Sequence, residues 1–119
     1  MTERIIIGLT EKVKLKTKEG KKKIIIAKVD TGASKSSLDL SLASQLDLSP
    51  IIKSKMIKSA HGSRLRPIVS ATIELAGKKI KAHFTLADRE HLKYQVLIGV
   101  NVLKKGSFLV DPSKKTNNH

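Results

Sequence analysis

The sequence contains no cysteine and no tryptophan, and only two phenylalanines, one tyrosine and three prolines among its 119 residues. Without cysteine there is no disulfide framework, no thiol nucleophile and no thiolate metal site. So few rings also deny the chain the stacking platforms on which single-stranded nucleic acid is held, which disfavours a nucleic-acid partner. Acidic residues are scarce as well, 10 against 24 lysines and arginines, for a formal net charge of +14. No run of about 18 apolar residues could cross a membrane, and no apolar signal segment opens the chain. A cytoplasmic protein with no membrane partner is expected.

What is present is aliphatic. Hydrophobic residues make up 39% of the chain, and Ile, Leu and Val must carry the burial. Their short β-branched runs, such as Ile24-Ile25-Ile26, favour strands. The length suits one domain, whose small core is marginal unless a subunit interface buries further apolar surface. The lysines are scattered through the sequence rather than gathered in an arm. They read as a solvated surface whose field attracts polyanions and acidic peptides.

Periodicity predicts a mainly antiparallel, all-β chain with one or two short helices. Arg4 to Leu9 reads as a short apolar strand, and Lys12 to Lys16 alternates as a strand with one wet face. Lys18 to Lys21 is a turn, after which Lys22 to Val29 completes a hairpin. A helix is expected over Leu40 to Leu46 with Asp39 as its N-cap. Ile51 to Lys58 is extended, and Ala76-Gly77-Lys78 separates strands at Ser70 to Leu75 and Lys79 to Leu86. Tyr94 to Ile98 reads as a buried strand, Val100 to Lys105 as one or two helical turns, and Phe108 to Val110 as a last strand. The domain is expected over residues 1–112, with a flexible tail over 113–119.

The chemistry centres on Val29-Asp30-Thr31-Gly32-Ala33. A buried strand ending in Asp-Thr-Gly fixes a carboxylate, offers a threonine hydroxyl to a neighbour, and lets backbone approach closely at the glycine. Hydrolysis of a peptide by water needs two carboxylates sharing a proton, since two adjacent charges do not both ionise cheaply. The chain has one such loop, so the second carboxylate must come from another copy.

That loop resembles the active-site motif of the retropepsins, the homodimeric aspartic peptidases. Val96-Leu97-Ile98-Gly99-Val100-Asn101-Val102-Leu103 is similar to their second hallmark, an apolar strand, a glycine and a short helix. The two motifs lie about 65–70 residues apart, which leaves room for a flap hairpin between them. Ser59-Ala60-His61-Gly62-Ser63 occupies the flap position.

The likeness is greater to the retropepsin-like family associated with ATP-grasp glutamate ligases of the RimK type. It rests on Ser36-Ser37-Leu38 after the first motif, and on Arg66 to Val69, Phe84 to Arg89 and Phe108 to Asp111. Members often carry the label "ATP-dependent zinc protease". The chain has neither a phosphate-binding glycine loop nor a His-Glu-x-x-His, and His61, His83, His91 and His119 are scattered, so no metal or cofactor is expected.

The resemblance implies a retropepsin-like acid-protease barrel and a catalytic Asp30 acting as a dyad across a homodimer. Thr31, Gly32 and Ala33 would support the active-site loop, Ala60, His61 and Gly62 would form the flap, and Ile98, Gly99 and Asn101 would build the second motif. The substrate implied is a peptide or protein, with acidic or glutamate-modified tails suggested by the ligase association and by the charge. The family and the retroviral enzymes usually place an arginine after the second-motif glycine, and in the retroviral enzymes it pairs with an acid after the first-motif alanine. Val100 and Ser34 stand there instead, so neither partner is stranded. Asp111, which no Thr-Gly follows, reads as a turn residue. A catalytically silent binding module and a basic nucleic-acid-binding β-barrel remain the alternatives.

Overall fold

The computed structural model describes residues 3–48, 53–59 and 62–116, and statements of absence below refer to those residues. Nine strands and two short helices follow one another: β1 (Ile6–Ile7), β2 (Thr10–Lys16), β3 (Lys22–Val29), β4 (Ser36–Asp39), α1 (Leu40–Ala43), β5 (Lys53–Ser59), β6 (Gly62–Leu75), β7 (Lys78–Ala87), β8 (Val96–Ile98), α2 (Val100–Gly106) and β9 (Leu109–Val110).

Alternation in β2 shows how the barrel forms. Val13 and Leu15 point inward and are buried, while Lys14 and Lys16 face solvent. A strand with one apolar face must cover it, and β2 does so by pairing on both edges. It runs antiparallel to β3 along its whole length and meets the end of β6 through Val13↔Leu75, Lys14↔Glu74 and Leu15↔Ile73. That second pairing closes the order β2-β3-β8-β4-β7-β6 into a six-stranded barrel. Phe84, Leu38, Leu42, Ile73, Leu75 and Ile98 are among the fully buried side chains at its centre. The core is aliphatic around the rings of Phe84 and Phe108, as the composition requires.

Two features place the functional loop. First, β8 slips between strands that are consecutive in sequence. It lies parallel to β3 (Val29↔Ile98) and antiparallel to β4 (Ser37↔Leu97). The β3–β4 connection, which carries Asp30, therefore arches over the end of β8. Second, β6 is twice as long as the barrel needs. Its residues from Ile68 onward pair with β7, whereas its first half pairs with β5, from Lys53↔Ile68 to Ser59↔Gly62. The β5–β6 hairpin is thus an arm extending from the barrel at the flap position. Ala60 and His61, assigned to the flap, lie outside the described residues; Gly62 has φ +110°, a conformation that favours glycine.

The all-β expectation holds, with local differences. The first strand spans Ile6–Ile7 rather than Arg4 to Leu9, because the Gly8 N–H turns aside to the Glu11 carboxylate at 2.8 Å. Helix α1 stops at Ala43 rather than Leu46. Gln45 to Asp47 are drawn instead to the end of β2 and its turn, where Asp47 N–H donates to the Lys16 carbonyl and Lys18 N–H to that of Gln45. Asp39 caps the helix as expected. Beyond β9, the Lys114 ammonium reaches Glu11 and Thr116 bonds to Thr10, so these residues lie against β2. No helix is long and apolar enough to cross a membrane.

Candidate active site

Asp30 sits where β3 ends. Its N–H donates to the Ile98 carbonyl at 2.9 Å, which fixes the residue against the tip of β8. Its Oδ1 accepts the Gly32 N–H at 2.9 Å, a bond that turns the carboxylate within its own loop. Asp30 is half-buried, while Thr31 and Gly32 are exposed. The loop therefore presents its carboxylate and the threonine hydroxyl at the surface, backed by rigid strand.

The second motif supports this loop by backbone. Val100 N–H donates to the Ala33 carbonyl at 2.8 Å, and Asn101 N–H to the Ser34 carbonyl at 3.3 Å. Where the retroviral pattern would join these positions through an arginine and an acid, this chain joins them main chain to main chain. Gly99 makes the approach possible. A Cβ there would fall 2.6 Å from the Lys35 carbonyl carbon and 2.8 Å from the Ala33 carbonyl oxygen, distances real Cβ atoms do not occupy.

A buried polar network completes the support. Ser36 Oγ, fully buried, accepts the Gly99 N–H at 2.9 Å and donates to Asn101 Oδ1 at 2.7 Å. The other end of the Asn101 amide donates to the His83 carbonyl at 3.0 Å, tying the motif to β7. Each polar atom in the chain from Gly99 to His83 has a partner, the condition under which a buried network adds rigidity rather than cost. Asn101 thus connects the loop, the second motif and the barrel wall.

Among the described residues two carboxylates are buried, Glu11 against Gly8 and Lys114, and Asp39, for which the sequence predicts only a helix cap. Asp39 accepts the N–H groups of Ser41 and Leu42 and the Ser41 hydroxyl, and its Oδ1 takes the Arg89 N–H at 2.8 Å. Burial would raise its pKa, but the Ser41 hydroxyl and the backbone donors of Arg89, Leu42 and Ser41 outweigh that and hold it below the ordinary carboxylate value. Burial lowers the Arg89 guanidinium from its ordinary value, opposed by the charge of Asp39. Arg89 Nε donates to the Tyr94 carbonyl at 2.9 Å, and Asp39 N–H to that of Gln95. The capping signal was legible, but the tie to residues 89–95 depends on long-range folding. Asp111 accepts the N–H and hydroxyl of Ser113, which lower its pKa and mark it as a turn residue. No group of three or more His, Asp or Glu side chains is placed to hold a metal ion among the described residues.

A closed six-stranded barrel, with a late strand inserted beneath a single Asp-Thr-Gly loop, is the retropepsin-like class of acid-protease fold. The chain belongs to the RimB-like family, described as retropepsin-like aspartic endopeptidase RimB, whose sequence profile matches residues 41–118. The matched span includes the second motif and β9 and begins after the Asp30 loop. A protein of unknown function from Legionella pneumophila subsp. pneumophila str. Philadelphia 1 has a similar crystal structure. Its TM-score is 0.68 at 21% sequence identity, covering 98% of this chain and 100% of that one, and the likeness is one of fold. Comparison with curated proteins returns no match.

Proposed function

We propose that the protein is an aspartic endopeptidase that becomes competent when two copies bring their Asp30 loops face to face. The observation that carries this reading is the loop itself. It holds one carboxylate on a backbone braced by Gly99, Val100 and Asn101, with Thr31 exposed beside it for a contact across a two-fold axis. The exposed Ile6 and Leu109, paired in the parallel β1–β9 ladder, offer further apolar surface to a second copy.

In such a dyad one Asp30 carboxylate takes a proton from a bound water as the water oxygen attacks the scissile carbonyl carbon. The protonated Asp30 of the second copy polarises the carbonyl oxygen and gives it a proton, producing a neutral tetrahedral diol. Proton transfer to the amide nitrogen, with return of a diol proton to a carboxylate, breaks the C–N bond and releases acid and amine. The β5–β6 hairpin would serve as the flap that excludes bulk water. Thr31, Gly32 and Ala33 shape the loop, and Ala60, His61 and Gly62 remain the flap candidates of the sequence, Ala60 and His61 lying outside the described residues.

Acidic peptides or glutamate-modified protein tails are the proposed substrates, in keeping with the resemblance to the RimK-associated family. The net charge of +14 and the exposed Lys28 and Lys35 flanking the loop supply a favourable field. The test is cleavage of Glu-rich against neutral peptides at low salt by the wild type and by Asp30→Asn. Equal cleavage of both peptides removes the acidic preference, and activity retained by the variant removes the mechanism. The absence of the Ser34–Val100 ion pair favours a second reading, a retropepsin-like binding module, which a chain that stays monomeric at assay concentrations would support.

A further inference from the structure

We propose that the outer wall formed by β2, the start of β3 and the β6–β7 hairpin is a docking surface for duplex nucleic acid, held through its phosphates and centred at the end of β3 opposite Asp30. The lysines scattered in sequence converge there. Lys14 and Lys16 alternate outward along β2, Lys22 stands beside Lys16 across the β2–β3 ladder, and Lys79 opposes Glu74 across β6–β7. These four lysines and Glu74 line one cleft of about 300 Å³. A second cleft, of about 360 Å³, adjoins it across Lys14 and Glu74 and adds Lys12. At the other end of β2, Lys114 and Lys115 line a third cleft with Thr10 and Thr116. The result is a lane of cations about 20 Å long beside a strand that rises ~3.4 Å per residue.

Little internal charge offsets this lane. Glu74 pairs with Lys22 at 3.3 Å and Glu11 with Lys114 at 3.2 Å. Lys14, Lys16 and Lys79 make no side-chain hydrogen bond or ion pair among the described residues. The cleft at Lys22 and the Asp30 loop lie at opposite ends of β3, so about 23 Å of strand separates them, whereas the third cleft lies at the Asp30 end, where Thr10 pairs with Lys28.

The chemistry of the wall selects its occupant. Along Val13 to Leu15, at the centre of the wall, both edges of β2 are already paired, with β3 and β6, so an extended peptide finds no free main-chain groups to pair with there. The lining has no aromatic ring on which single-stranded bases could stack and no arginine fork for bidentate recognition. What remains is recognition by charge density. A duplex carries one negative charge per ~1.7 Å of axis, whereas an extended acidic peptide carries at most one per ~3.3 Å. Lysine, a strongly hydrated point charge, suits phosphate oxygens without reading sequence.

The experiment follows a labelled 20-base-pair duplex by fluorescence anisotropy across a salt series, using the full chain. The wild type is compared with the triple variant Lys14→Gln, Lys16→Gln, Lys79→Gln and with a charge-matched control, Lys35→Gln, Lys93→Gln, Lys104→Gln. The wall variant is expected to bind at least tenfold more weakly than the control, with a log–log salt slope shallower by about 2–3, since each neutralised phosphate contributes about 0.9. Equal affinity of the two triple variants overturns the proposal. So does displacement of the duplex by a Glu-rich peptide at equal or lower charge concentration, which would reassign the wall to an acidic protein. Because binding is read without cleavage, an inactive peptidase leaves the result intact, and unfolding of either variant is checked by its melting curve.

Discussion

Gly99 stands so close to Lys35 that a single methyl group on its Cα would lie 2.6 Å from the Lys35 carbonyl carbon. The obstruction is backbone on both sides, so neither neighbour can rotate away. Gly99→Ala must push the second motif off the Asp30 loop, at the cost of overpacking, about 1–3 kcal/mol. A melting temperature lower by roughly 5–15 °C is expected for a domain of this size. Peptidase activity should fall further than the population of folded protein does. A variant that melts with the wild type would show that the loop and motif are not packed as described.

Asp30→Asn separates function from fold. The asparagine carbonyl can still accept the Gly32 N–H, and the residue is only half-buried, so stability should change by less than about 1 kcal/mol. Cleavage should vanish. Mixing the variant with the wild type should lower activity more than dilution does, because mixed dimers carry one carboxylate. The wild-type rate should be bell-shaped in pH, as expected when one member of a pair must be protonated and the other not. Simple proportional loss on mixing would argue for a single-chain site.

Much of this site was legible because its requirements are local. A glycine is needed where backbone meets backbone, and an Asp-Thr-Gly after an apolar strand places a carboxylate at a strand end. Asp39 announced itself as a cap for the same reason. The Asp39–Arg89–Tyr94 tie and the Ser36–Asn101–His83 chain were not legible, because their partners come together only when β8 inserts and β4 pairs with β7. The lysine wall was hidden likewise. Alternation showed that Lys14 and Lys16 face solvent, but their meeting with Lys79 depends on the β2–β6 closure.

Ser36→Ala probes the buried chain. It leaves the Gly99 N–H without its acceptor in a fully buried setting and removes the donor to Asn101. An unsatisfied buried amide costs about 1–3 kcal/mol, and denaturant midpoints should fall accordingly with unchanged slope. A role in positioning the loop further predicts that kcat drops while KM is little altered. A purely structural role would lower the amount of folded enzyme and leave kcat per folded molecule unchanged.

Asp39 sets an acid limb on stability. Its pKa is held below the ordinary 3.8 in the folded chain, so its contribution is fully present above that value. The contribution is lost as pH falls through the lower, folded value. Unfolding free energy, measured by urea titration between about pH 5 and pH 2, should decline with pH in the wild type. Asp39→Asn should be less stable at neutral pH, by about 1–3 kcal/mol for the lost cap and charged hydrogen bonds, and its decline should be shallower. Parallel declines in the two proteins would assign the acid limb to other groups.

Ser34 and Val100 test how far the main-chain stitching substitutes for an ion pair. The Ser34 carbonyl accepts the Asn101 N–H at 3.3 Å, a long bond with room to tighten. Val100→Arg alone gives a half-buried position a charge with no partner and should destabilise the fold by about 1 kcal/mol. Ser34→Asp alone, at an exposed residue, should matter little. Together they restore the pairing that the retroviral pattern places here. A double-mutant cycle should then show favourable coupling of about 0.5–1 kcal/mol, weaker at high salt. If the pair also steadies Asp30, the double variant should raise kcat over the wild type as well as the melting temperature over Val100→Arg. Zero coupling would mean that the backbone bonds from Val100 and Asn101 already fix the loop fully, with nothing left for a charge pair to hold.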